Sequence, residues 1–101
     1  MLVEFSIVPL GAGCSISDQV AEILKIVAAS GLPYKVNPMG TVVEGGWNDV
    51  FSLIKKCHSA MARHEERVLT RILIDDRRGR ADMISSKLRS VEKKIGKPLK
   101  K

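Results

Sequence analysis

Gly31-Leu-Pro-Tyr-Lys-Val-Asn-Pro-Met-Gly40-Thr-Val-Val-Glu-Gly-Gly-Trp47 carries two short β-type runs on either side of a turn. In Leu32–Asn37, Tyr34 and Val36 alternate with Lys35 and Asn37, and Pro33 suits a strand start or an edge strand. Pro38-Met39-Gly40 is a turn signal, and Thr41-Val-Val-Glu44 is β-branched enough to form the return strand. The stretch therefore predicts a hairpin closed by Gly45-Gly46.

Each side of this hairpin is flanked by a strand and a helix. Upstream, Leu2–Pro9 sends Val3, Phe5 and Ile7 to one face and Leu2, Glu4, Ser6 and Val8 to the other, as a half-buried strand does. Gly11-Ala-Gly13 ends that strand, Ser15-Ile-Ser-Asp18 resembles a capping box, and Ile16, Val20, Ile23, Leu24 and Val27 recur at helical spacing until Ser30-Gly31. Downstream, Trp47, Val50, Phe51, Ile54, Cys57 and Met61 predict a helix to about Ala62, with Asn48 or Asp49 available to cap its free amides.

Val68–Ile74 is the strongest strand signal. Val68, Thr70, Ile72 and Ile74 face one way, and Leu69, Arg71, Leu73 and Asp75 the other. After Asp75-Asp-Arg-Arg-Gly-Arg80, a third helix carries the stripe Ile84, Leu88, Val91 and Ile95 and ends at Gly96.

The order β-α-β-β-α-β-α predicts an α+β, ferredoxin-like βαββαβ domain over residues 1–96. It has a four-stranded antiparallel sheet, an added C-terminal helix and a basic tail at 97–101. Two helices cover one sheet face. The other face is expected to have no cover within the chain, although Leu2, Val8, Leu69 and Leu73 lie on it beside Glu4, Ser6 and Arg71, so self-association into a dimer or tetramer through that face is expected. No internal repeat or low-complexity tract is present.

Composition bounds the function. With 101 residues and 45% hydrophobic content the chain builds one core. Seventeen Lys and Arg against eleven Asp and Glu give a net charge of +6, and seven of the cations fall between Lys87 and Lys101, where Glu92 is the only acid. The basic character reads as a solvated helix and tail. Cys14 and Cys57 form no CxxC pair and fit idle thiols in a reducing cytoplasm. The N-terminus has no basic n-region, and no apolar run approaches the roughly 20 residues of a membrane span.

Several pieces, in this order, resemble the thiamine-binding family of MTH1187/YkoF-like proteins. They are Val8-Pro9-Leu10-Gly11, Ser15-Ile16-Ser17, Gly31-Leu-Pro-Tyr34, Pro38–Trp47, Arg67-Val68, Ile74–Arg78, Lys87 and Ser90-Val91-Glu92. No single piece is specific; their order and spacing across nearly the whole chain carry the resemblance. It implies a ferredoxin-like fold, assembly through sheet faces, and binding of thiamine or its hydroxymethylpyrimidine portion, without catalysis and without a cofactor.

An aminopyrimidine wants a donor–acceptor pair at its edge and an apolar or aromatic surface on its face, and a thiazolium favours carboxylate or aromatic neighbours. Glu44 suits the exocyclic amine or the cation, and equally suits a cap or a surface ion pair. Thr41 suits a ring nitrogen. Trp47 suits stacking over a ring or anchoring in the core. Ser6 and Glu4 share the open face and suit the lining of an intersubunit pocket, or ordinary interface polarity.

Other motifs are weaker. Gly11-Ala-Gly13 before a helix suits an anion but matches no nucleotide fingerprint. Asp75-Asp76 reads as a salt-bridged turn, and the six-residue spacing of His58 and His64 suits surface histidines and no helical zinc site, so no metal is expected. No nucleophile is placed beside a base. Two competing readings remain: a structural or regulatory oligomer without thiamine binding, and an RNA-binding module of the same strand order. The second lacks the aromatic RNP signature, and Phe5, the one aromatic in the first and third strands, points toward the helices.

Overall fold

The computed structural model describes residues 1–11, 17–79 and 83–98. The chain order is β1 (Leu2–Pro9), α1 (Ser17–Ala29), β2 (Tyr34–Asn37), β3 (Gly40–Glu44), α2 (Trp47–Ala62), β4 (Val68–Asp75) and α3 (Met83–Ile95). The four strands form one sheet in the order β2-β3-β1-β4. Each neighbouring pair is antiparallel, as the ferredoxin-like fold requires.

Register follows from the alternation. Val3 lies opposite Val43 and Ile74, and Phe5 opposite Thr41 and Ile72, so one sheet face is continuous across strands. Val3, Phe5 and Val43 on that face bury against Ile23 and Val27 of α1 and Val50, Leu53, Ile54, Cys57 and Met61 of α2. A Val, Phe or Leu side chain buried this way contributes about 1.5–3 kcal/mol, which is why these stripes dictate which face of each element turns inward.

Boundaries depart from expectation in places that backbone chemistry explains. β2 begins at Tyr34 and not at Leu32, because Pro33 has no N–H to donate, although its carbonyl accepts from Glu44 N at 3.0 Å. Neither Asn48 nor Asp49 caps α2. Extended Gly46 is the N-cap residue, with no side-chain hydrogen bond, and Trp47 is the first helical residue. Gly31 and Gly96 end α1 and α3 at φ +80° and +76°, a left-handed conformation that costs glycine least.

The main correction concerns the second sheet face. It is not bare: α3 lies across β3 there, with its first amides held by Glu44. Only the start of α3 is well covered. Met83 is buried, whereas Val91 and Ile95, from the predicted Ile84-Leu88-Val91-Ile95 stripe, are 47% and 49% exposed. Ser15 and Ile16 of the expected capping box, Cys14, most of the Gly11–Gly13 loop, Arg80 and residues 99–101 of the tail lie outside the described residues, and Ser17 and Asp18 open α1.

Candidate functional site

On the face opposite α1 and α2, the register aligns Glu4 with Val42 and Leu73, and Ser6 with Arg71. Lys35 joins the first row from the β2 edge, opposite Val42. Residues directly opposite on antiparallel strands stand about 4.5–5.5 Å apart, close enough for their side chains to share one ligand. Glu4, Ser6, Met39, Arg71 and Leu73 line a shallow hollow of about 150 Å³. Glu4 and Arg71 share it without an ion pair within 4.0 Å among the described residues. A carboxylate acceptor, a hydroxyl that both donates and accepts, and a guanidinium donor are therefore set around apolar side chains.

Glu44 stands on the same face but is already engaged. Its carboxylate accepts from the backbone amides of Met83 at 2.7 Å and Ile84 at 3.3 Å. The first amides of a helix have no intrahelical partner and carry the positive end of its dipole, so a carboxylate reaching over from β3 satisfies both and pins α3 to the sheet. Of the two roles open to Glu44 in the sequence, the structure shows the cap.

The other expected site residues lie apart. Thr41 is paired with Phe5 and faces the helices. It is 8% exposed and lines a separate hollow of about 210 Å³ with Val20, Ile23, Leu24 and Val36. Trp47, at the first turn of α2, is no core anchor. It is 56% exposed and stacks on Phe51, ring centroids 5.4 Å apart and planes 11° from parallel. Ser6 borders both hollows, meeting Glu4 in the one on the open face and Thr41 in the one beneath the helices. Arg71 completes the open-face hollow; a lone charge inside the Val68–Ile74 run was its one sequence signal, and only the register sets it opposite Ser6.

Four further titratable groups, His58, His64, Arg63 and Cys57, belong to α2 and the residues that follow it. His58, expected at the surface, is partly buried, its Nδ1 2.6 Å from Thr70 Oγ1. His64 and Arg63 reach Glu22 of α1 at 3.2 and 3.5 Å. Burial pushes the Cys57 thiol up to about 11, so it is protonated at neutral pH and a poor nucleophile. Among the described residues no group of three or more His, Cys, Asp or Glu is placed to hold a metal ion, and no helix is long and apolar enough to cross a membrane.

Fold and face together define a ferredoxin-like α+β domain with a polar hollow on its sheet. The model of the thiamine-binding protein family matches residues 3–92, and the chain belongs to that family. It is similar to a UPF0045 protein of Mycobacterium bovis, 35% identical, with 97% of each chain covered. It is also similar to a UPF0045 protein of Synechocystis, 34% identical over 91% of this chain and 77% of the relative. Among solved structures, a hypothetical protein of Methanocaldococcus jannaschii superposes with a TM-score of 0.82 at 32% identity, covering 89% of this chain and 93% of the other. A Thermotoga maritima protein, named for thiamine biosynthesis or salvage, shares the fold with a TM-score of 0.72 at 19% identity, with 94% of each chain covered.

Proposed function

We propose that this protein binds thiamine, or its hydroxymethylpyrimidine portion, without transforming it, and does so as a homo-oligomer in the cytoplasm. Membership in the thiamine-binding protein family supports the ligand class. The observation that carries the location is the meeting of Glu4, Ser6 and Arg71 in one hollow with Met39 and Leu73. The Glu4 carboxylate accepts from the exocyclic amine, Ser6 or Arg71 donates to a ring nitrogen, and the apolar side chains meet the ring face. Glu44 acts indirectly in this reading, by holding α3.

The hollow is shallow, and Leu73 at its rim is 69% exposed, with Val8 and Leu69 exposed one row along the same face. A second copy laid over β1 and β4 buries these side chains and roofs the ligand. RNA binding fits less well. By the strand register no aromatic side chain lies on the open face, and Phe5 is buried beneath the helices, so bases have no stacking platform there.

The test is thermal unfolding at fixed protein concentration with hydroxymethylpyrimidine, thiamine or thiamine phosphate. A ligand at about 100 times its Kd stabilises by roughly 2.7 kcal/mol. The expected result is a raised midpoint that Glu4→Gln weakens and Thr41→Val leaves intact. No rise with any of the three ligands would overturn the binding reading in favour of a structural oligomer.

A further inference from the structure

A second hollow, of about 430 Å³, opens between β2 and α3 and is lined by Lys35, Ile84, Ser85, Leu88 and Arg89. Lys35 projects from β2 on the face that α3 covers, as its pairing with Val42 requires. Arg89 and Ser85 come from α3, about fifty residues later. Two cations from separate elements thus line one concavity, and no carboxylate lines it among the described residues. Glu44 spends its oxygens on the Met83 and Ile84 amides, Glu92 follows Arg89 by three residues on α3 but does not line the hollow, and neither Lys35 nor Arg89 forms an ion pair within 4.0 Å among the described residues.

Like charges gathered without a counter-ion repel, and the arrangement becomes favourable when an anion lies between them. A guanidinium, an ammonium and a hydroxyl are together the donor set for a phosphate group: a planar fork, a point charge and a neutral donor. The hollow differs in this from the groove beside α2 lined by Lys55, Lys56 and Arg63, whose cations all come from one helix and its end, and where Arg63 is already bonded to Glu22. Ile84 and Leu88 add an apolar wall, which a free phosphate does not use and an organic ester does.

From this juxtaposition we infer that the cleft between β2 and α3 is a phosphate subsite, built by Lys35 and Arg89 with Ser85, that takes a phosphate monoester or free phosphate. The site is separate from the Glu4 hollow, and its anion is held whether or not a pyrimidine binds there.

The experiment follows phosphorus-31 line width while protein is titrated into inorganic phosphate, and separately into phenyl phosphate, at constant ionic strength set with sodium chloride. The expected result is saturable broadening with both probes. Lys35→Gln and Arg89→Gln each weaken it about tenfold, as loss of one charge-assisted contact does. Lys25→Gln, which removes an exposed cation on α1, changes nothing. Tighter binding of phenyl phosphate identifies an ester as the ligand type, and equal binding identifies free phosphate. Broadening that fails to saturate, or that Lys25→Gln reduces as much as Lys35→Gln does, overturns the inference. Hydroxymethylpyrimidine and thiamine carry no phosphate, so failure of both to bind would sink the thiamine reading and leave this one standing.

Discussion

Replacing Glu44 by alanine removes both acceptors at the start of α3 at once. The Met83 amide loses a 2.7 Å bond and the Ile84 amide a 3.3 Å bond, both to a charged oxygen in a partly buried setting. Loss of a helix cap costs about 0.5–2 kcal/mol. A hydrogen bond to a charged group is worth about 1.5–3 kcal/mol, and the longer of the two bonds here contributes less. The two bonds are only partly buried, so water replaces them in part, and the expected cost of Glu44→Ala is about 2 kcal/mol, a fall in Tm of roughly 8–16 °C for a domain of this size. Glu44→Gln keeps one carbonyl acceptor but loses the charge facing the helix dipole, and costs about half as much. Circular dichroism melting reads the total, and amide hydrogen exchange at Met83 and Ile84 reads the local event. Exchange at these two amides accelerates in Glu44→Ala even if α3 loosens without global unfolding. Unchanged melting together with unchanged exchange at both amides would refute the claim that Glu44 holds α3.

Three further outcomes follow from burial. Met61→Ala empties a fully buried position against the sheet and is expected to cost about 2–5 kcal/mol, measured by urea denaturation; a loss under about 1 kcal/mol would mean that the core closes over the gap. Burial raises the Cys57 thiol from 9.0 to about 11, so the folded state keeps its proton where the unfolded chain has lost it. This contribution to stability is complete below pH 9.0 and is lost as pH rises toward about 11, so denaturation midpoints in a Cys14→Ser background are expected to fall over that window, and Cys57→Ala to remove the dependence. Leu73→Lys places a charge at a 69% exposed position on the open face; the monomer fold is expected to survive while sedimentation shows a shift to smaller species, and an unchanged assembly would place the contact elsewhere.

Much of the fold was legible because its signals are local. The period-two alternation of Leu2–Pro9, the Pro38-Met39 turn and the stripes of α1 and α2 each follow from which side chains a strand or helix can bury, and the observed register keeps Val3 and Phe5 on one face, as that alternation predicted, and sets Val43 beside them. The order of elements then left few ways to arrange four antiparallel strands. The stripe on α3 was equally visible, but a stripe says only that a helix has an apolar side and not which surface it meets. The docking of α3 on the second sheet face hangs on Glu44 meeting amides 39 and 40 residues away.

The candidate site divides along the same line. Residue chemistry alone singled out Glu4, Ser6, Thr41, Glu44 and Trp47, and alternation alone put Glu4 and Ser6 on the open face. Pairing between strands distant in the chain set Arg71 opposite Ser6, turned Thr41 toward the helices, and brought Lys35 under Arg89. A side chain's chemistry and the face it takes are properties of a few neighbouring residues, and these were written in the sequence. Which groups meet depends on register and docking between segments tens of residues apart, and only the tertiary structure closes those distances.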